Sequence, residues 1–322
     1  GSDGTVYVAE AFGGQLTTVD KAGTQSVLVS GRMEIAGVDA NGKGSAVFVA
    51  TDYATGAATL ERSLPNGRTA VIADLSAYEN RVNPDQVNRY GFQSLPAGCE
   101  LPDELAFFAD YLGYPEAHPY AVATAAGGWY VADAAANTVL HVAPTGRIRT
   151  VSVLPVQPQA VTADIVAEWN ENEDALAEEE PGYTQVYLPE CLAGTVFNGE
   201  PVPTDVEVGP DGLLYVTTLP GFPEAAGAAS VYRIDPRSGA TTRIGTGFSG
   251  ATDLAVTPTG DVYVAELFGE GISKLVAGGP APAVGLPLVS AVEYAHGALY
   301  ATAGTFFPPE AGGGFVVKVP LG

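Results

Sequence analysis

Short runs in which apolar and polar positions alternate recur along the chain, each centred on an aromatic or large apolar residue and each entered from a tight corner. They read TVYVAE (5–10), AVFVATD (46–52), GWYVADA (128–134), LLYVTT (213–218), DVYVAE (261–266) and ALYATA (298–303). A period of two is the mark of a strand with one face buried. After each run comes a loop and a third alternating segment (QLTTVD, ATLERS, TVLHVA, SVYRID, GISKLV, GFVVKV), usually followed by a fourth such as QSVLVS, TAVIAD, RTVSVL or TTRIGT. Where a strand precedes the run it reads EIAGVDANG, YAVATAAGG, TDVEVGPDG, TDLAVTPTG or SAVEYAHG, with the corners 65–67, 144–146, 209–212 and 258–260 between strands. Gly, Pro, Asn and Asp supply the backbone angles such corners need.

A four-stranded antiparallel unit cannot bury both faces of its own twisted sheet, so copies must stack on one another. Six copies stacked radially predict an all-β fold, a six-bladed β-propeller forming a single domain over residues 1–322. A solenoid is the alternative geometry, but its repeats are shorter and lack four strands per unit. The aromatic positions Phe48 to Tyr130 and Tyr130 to Tyr215 lie 82 and 85 residues apart, twice the spacing of 41 between Tyr7 and Phe48. No Gly-anchored aromatic strand fills residues 79–117 or 156–201, and DELAFFADYL and VTADIVAEWNENEDALAEEE read as helical, so both are insertions rather than hidden blades. The first copy lacks its leading strand and the last its fourth, so the ring is expected to close by joining the two ends, or to leave a shortened blade.

In a propeller the first strand of each blade lines the channel, and the loops after strands two and four share one face. Both insertions and the longest loops, 219–230 and 303–314, fall on that face, where binding residues gather on a rigid scaffold. Cys99 and Cys191, the two cysteines, lie one in each insertion and are expected to form a disulfide, which implies an oxidising compartment. The alternative is two free thiols; metal ligation lacks a CxxC or a nearby histidine. Trp169 is expected to anchor the second insertion.

With 14 basic against 37 acidic residues the net charge is −23, which repels phosphate backbones and anionic lipid, so nucleic acid is not an expected partner. No run approaches the roughly 20 apolar residues of a membrane span, and GSDGTVYVAE enters a strand without a basic-then-apolar leader; a mature or trimmed exported chain is the expectation.

Carboxylates end the second strands at Glu10, Asp52, Asp133 and Glu266, with Thr218 and Ala303 completing the ring, and the channel strands begin nearby with His118, Tyr120, Thr204, Asp205, Thr252 and Asp253. Glu10, Asp133, Asp205, Asp253 and Glu266 could hold Ca²⁺, which takes six to eight oxygens, or could equally cap loop N–H groups. The acidic run NENEDALAEEE lacks the spacing of a calcium hand and reads as an exposed helix face. No GxSxG or HExxH is present, His141 and His296 fit structural positions, and His118 before Pro119 is the one candidate general base.

ADLSAYENRVNPD (73–85), HPYAVATAAGGWYVADAAANTVLHVAPTGRI and VPTDVEVGPDGLLYVTTLPGFPEAAGAASVYRI together resemble the ScyD/ScyE family of secreted bacterial propellers, LPGFP followed by GAASVYRI being the most specific element. The resemblance covers most of the chain and implies an exported six-bladed propeller without an assigned general activity. His118 stands where that family usually has asparagine, Thr218 where glutamate is common, and the cysteine-bearing insertions are longer. Two functional readings remain: a binding or assembly module that takes a protein, small-molecule or glycan ligand on its decorated face, and a Ca²⁺-dependent hydrolase or lactonase at the channel mouth. A lyase of the virginiamycin type would need His118 beside a metal.

Overall fold

The computed structural model describes residues 1–40, 45–64, 67–307 and 313–321. The corner at 65–67 and the tip of the loop at 303–314 therefore lie largely outside the described residues, as does the end of EIAGVDANG. The chain forms the expected six-bladed β-propeller. Blade 2 consists of Glu34–Ala40, Ala46–Asp52, Ala57–Ser63 and Thr69–Asp74, paired in that order. Blade 3 is Pro119–Ala125, Gly128–Asp133, Thr138–Val142 and Ile148–Val153; blade 4 is Pro203–Val208, Leu214–Thr218, Ala229–Ile234 and Thr241–Phe248. Blade 5 runs through Ala251–Val256, Val262–Glu266, Gly271–Val276 and Gly279–Gly285.

The two ends of the chain do not share a sheet. Blade 1 (Val6–Glu10, Gln15–Val19, Gln25–Val29) and blade 6 (Ala291–Ala295, Ala298–Ala303, Phe315–Pro320) are separate three-stranded sheets among the described residues. Of the two expected ways to end the ring, the structure takes the shortened blade, at both ends. The fourth strand of blade 5, GPAPAVG, escapes a propensity reading because of Pro280 and Pro282, which are tolerated on an outermost strand whose outer edge needs no donor.

Alternation sorts the side chains. Val206, Leu214 and Val216 of blade 4 and Val139 and Leu154 of blade 3 form one buried layer, and Tyr215, Leu254 and Val264 belong to the next, so each apolar layer is made by two adjacent blades. Gly37 shows how tight this contact is: a Cβ there would stand 2.5 Å from the Tyr120 carbonyl oxygen of blade 3.

Insertion one begins earlier than residue 79. Helix α1 (Leu75–Val82) starts directly after blade 2, with Asp74 accepting the Ala77 N–H at 2.8 Å as its cap. The segment DELAFFADYL, expected to be helical, forms only a 3₁₀ turn at Asp103–Phe108 and a two-residue strand at Tyr111–Leu112. In place of its own helix it spends its apolar side chains on a shared core. Insertion two carries the expected helix, α2 (Ala163–Glu179), on a hairpin stem of Gln157–Ala160 and Val196–Gly199.

The insertions meet in a satellite core of Phe92, Leu105, Phe108, Val166, Leu188 and Phe197, which includes Cys99. Cys99 and Cys191 form the expected disulfide, with Cα atoms 5.8 Å apart. Trp169 does anchor α2: its indole N–H donates to the Val186 carbonyl at 2.9 Å and its ring lies 5.8 Å from Phe108. Phe222, from the loop after the second strand of blade 4, stacks 4.2 Å from Phe108. That contact places the loops after strand two on the same face as both insertions.

Candidate functional site at the channel mouth

The ring of strand-end carboxylates is shifted by one place in blade 2. Pairing sets Glu34 opposite Thr51, as Pro119 is opposite Asp133 and Ala251 opposite Glu266, so Thr51 and not Asp52 is the ring member. Asp52 lies one residue on and caps its turn, accepting the Ala54 N–H at 2.9 Å. Thr51 lies three residues past Phe48, as Asp133 and Glu266 lie three past Tyr130 and Tyr263, so a threonine fills the ring position and the acid falls one place beyond it. The other ring acids also serve loops. Glu10 accepts from Gln15 at 2.9 Å and from Thr17, Glu266 accepts the Ser249 N–H at 2.6 Å, and Asp133 accepts the N–H groups of His118 (2.8 Å) and Ala136 (3.2 Å). Among the described residues no three His, Cys, Asp or Glu side chains come close enough to hold one metal ion between them, so the five expected ligands do not assemble as a set.

His118 does gain partners. Its Nε2 lies 2.7 Å from Glu34 Oε2, and the Tyr53 hydroxyl donates to the same oxygen at 2.7 Å while standing 3.0 Å from the imidazole. Tyr120 presents its ring edge-on at 5.9 Å. Burial pulls the His118 pKa down, but the adjacent Glu34 outweighs it and the net shift is upward. Burial likewise raises Glu34, and the hydrogen bonds from His118 and Tyr53 overcome it, leaving the carboxyl below its ordinary value. The pairing favours the imidazolium of His118 and the carboxylate of Glu34 over their neutral forms. Its geometry suits a proton donor or a fixed charge better than a free base.

Deeper in the channel the inner strands place a second set of acids. Asp205 and Glu207 of blade 4 lie two residues apart on one face, and Asp253 of blade 5, Glu293 of blade 6 and Asp39 of blade 2 face them. Inner strands have one edge without a partner strand, and some of these acids satisfy the amides left there. Asp205 accepts Leu254 N–H at 3.0 Å and Asp39 accepts Thr124 N–H at 2.6 Å, each from the following blade. Burial pushes Asp205 up to about 7, and it shares a side-chain hydrogen bond with Asp253. Burial, then the charges of Asp205 and Glu293, raise Asp253 well above the carboxylate range. Burial and the neighbouring Glu293 do the same to Glu207, and Glu293 itself rises to about 8. Glu293 is open to solvent yet ringed by protein, the condition of a group lining a narrow channel. Acids this close share protons instead of all ionising.

The loops after strand two carry a set of exposed aromatics, the rim of this face. Phe12, Tyr53 and Phe268 occupy the same place in blades 1, 2 and 5, five residues past the central aromatic of strand two, and are 85%, 56% and 63% exposed. Phe306 and Phe307 extend the rim at blade 6. The loops carrying Phe12 and Phe268 are tied to the entries of inner strands, through Ile35 N–H to Ala11 O (3.4 Å) and Phe268 N–H to Ser249 O (3.3 Å).

Sequence reasoning found His118, Tyr120, Asp133, Asp205 and Asp253 at this mouth and missed Glu34, Tyr53, Asp39, Glu207, Glu293 and the rim. Glu34 was legible, because it opens a channel strand as His118 does; so was the rim, as an aromatic at a constant offset in three repeats. His141 is structural as expected, its ring 5.2 Å from Tyr130, and His296 sits at φ 51° in a hairpin turn.

No protein-family profile and no curated protein matches the chain. Solved structures do. A gluconolactonase from Xanthomonas campestris is 13% identical with a TM-score of 0.58, covering 99% of this chain and 82% of that one. Regucalcin, a calcium-binding protein from Agrobacterium tumefaciens, is 12% identical with a TM-score of 0.54 over 99% and 86%. Virginiamycin B lyase from Staphylococcus aureus is 13% identical with a TM-score of 0.50 over 100% and 82%. At these identities the likeness is one of fold.

Proposed function

We propose that the protein is an exported binding module whose decorated channel mouth takes a donor-rich ring compound, such as an aminated sugar. The observation that carries this reading is the make-up of the mouth: exposed aromatics at equivalent positions in the loops after strand two, and carboxylates supplied by four blades in the channel. Aromatic faces stack on the apolar face of a ring, and acids below accept from ammonium or hydroxyl groups. The disulfide belongs to an oxidising compartment, and no helix among the described residues is long and apolar enough to cross a membrane. The resemblance to the ScyD/ScyE propellers agrees with export.

Calorimetric titration with glucosamine oligomers, against neutral glucose oligomers of equal length, tests the reading. One site is expected for the aminated series, weakened about tenfold, or about 1.4 kcal/mol, by Phe268→Ala and by Asp253→Asn. Unchanged affinity in both variants would sink it.

A second reading, a Ca²⁺-assisted hydrolase or lactonase, is favoured by the pairing of His118 with Glu34 and by the gluconolactonase among the similar structures. In that reading His118 would deliver or remove the proton beside the reacting carbonyl, and a cation, were one bound at the mouth, would supply Lewis-acid polarisation. Lactone hydrolysis that requires Ca²⁺ and is lost in His118→Ala would favour this reading over simple binding.

A further inference from the structure

Beneath insertion one lies a second acidic centre that the channel mouth does not use. Helix α1 is fastened to blade 3 by Tyr78, whose hydroxyl pairs with Thr150 Oγ1 at 2.9 Å. The next residue, Glu79, is thereby turned inward and is 1% exposed. Helix α1 ends at Asn83, in the left-handed conformation at φ 40°, with its N–H donating to the Glu79 carbonyl at 2.8 Å. Asn tolerates this conformation better than most residues, and Pro84 then starts a 3₁₀ turn that brings Asp85, also 1% exposed, back toward the helix end.

The hydrogen bonds of this centre are lopsided. Asp85 Oδ2 accepts from Tyr90 (3.2 Å) and Asn137 (3.0 Å), and Asn83 donates through Nδ2 to the Gly113 carbonyl at 3.0 Å. Four buried oxygens have no donor among the described residues: both of Glu79, Oδ1 of Asp85 and Oδ1 of Asn83. Every one of them is an acceptor. The charges of Asp133 and Asp85 act on Glu79, and Glu200 is joined to Asp85 through Asn137, whose Nδ2 reaches both. None of the ion pairs among the described residues involves these acids. Gly113 closes the site: a Cβ there would stand 2.2 Å from Asp85 Oδ1, so only glycine fits against that carboxylate.

Burying an unpaired carboxylate is costly unless a proton or a cation joins it. Protonation of Glu79 supplies one donor for four acceptors. The two carboxylates and the amide come from one helix end and the turn that follows it, and an oxygen-only set mixing carboxylate and amide groups is the ligand chemistry of calcium.

We propose that Glu79, Asn83 and Asp85, packed against Gly113, form a buried site for one calcium ion that secures insertion one beside the channel mouth. It differs in residues from the channel acids and stands independently of the binding reading. ENRVNPD thereby acquires a role that its lack of calcium-hand spacing conceals.

Terbium serves as the probe, since Tyr90, bonded to Asp85, is placed to sensitise its emission. Chelator-treated protein is expected to show one saturable terbium site per chain, displaced by Ca²⁺, with Ca²⁺ alone raising Tm. Glu79→Gln and Asp85→Asn should each weaken terbium binding at least about tenfold, while Asp253→Asn in the channel leaves it intact. Absence of a saturable site in the wild-type protein overturns the proposal, and so does emission that survives Glu79→Gln or is lost instead in Asp253→Asn. If neither ligand variant folds, the wild-type measurements decide: no Tm shift with Ca²⁺ overturns it.

Discussion

His118 acquires its character from Glu34, 84 positions away in the chain. The sign of its pH dependence follows. A raised imidazole pKa adds stability below the unfolded value near 6.5, lost as pH climbs through the folded value; the lowered Glu34 pKa adds stability only above the ordinary carboxylate range. Glu34→Gln should therefore cost more stability at pH 5.5 than at pH 9, and NMR titration should show the His118 pKa falling in that variant. An equal cost at both values would remove the ion pair from the account. At Asp205 and Asp253 the logic reverses, since one of two like charges is unwelcome. Asp253→Asn should raise stability at pH 8, by about 1 kcal/mol in denaturant titration, while weakening the binding of an aminated ligand at the mouth.

Among the elements, the two insertions form the unit with the least support from blades, and the Cys99–Cys191 link encloses a separation of 92 residues. In the chain-entropy description such a link contributes about 4.6 kcal/mol, against which the native state sets little loss because the satellite core already holds both segments. Reduction should lower Tm and expose α2 to hydrogen exchange before the blades open. Phe222→Ala removes a half-buried ring that packs on Phe92, Phe108, Trp169 and Phe197, at a cost of about 2 kcal/mol that should be confined to the same insertions. Exchange in the inner strand of blade 4 rising equally would show that blade and insertions unfold as one.

For the molecule as a whole, a ring of sheets gathers acids from distant repeats into one channel. With Asp205 near 7 and Glu293 near 8, the native state binds more protons than the unfolded chain between about pH 4 and pH 8. Stability must then fall as pH rises across that interval, and thermal scans in chelator should give a lower Tm at pH 8.5 than at pH 5. The same titration tunes binding. Affinity for an aminated ligand should grow with pH over the range in which the acids ionise and the amine stays charged, with protons released on association.

Blade number, the decorated face and the disulfide were legible from residues alone, because strand alternation is local and its repetition leaves radial stacking as the way to bury both faces of each sheet. DELAFFADYL shows the limit: its apolar residues read as a helix face, but they serve a core made with Phe197, Trp169 and Phe222 that no local pattern announces. Asp52 shows another, since an acid that ends a strand one place past the paired position lies outside the ring. Which acids confront one another across the channel, which histidine meets a carboxylate, and that Glu79 is turned inward without a donor were settled by closure of the ring and docking of α1. Such relations join positions far apart in the chain, and charge or hydrogen-bonding capacity carries no record of its partner until packing supplies one.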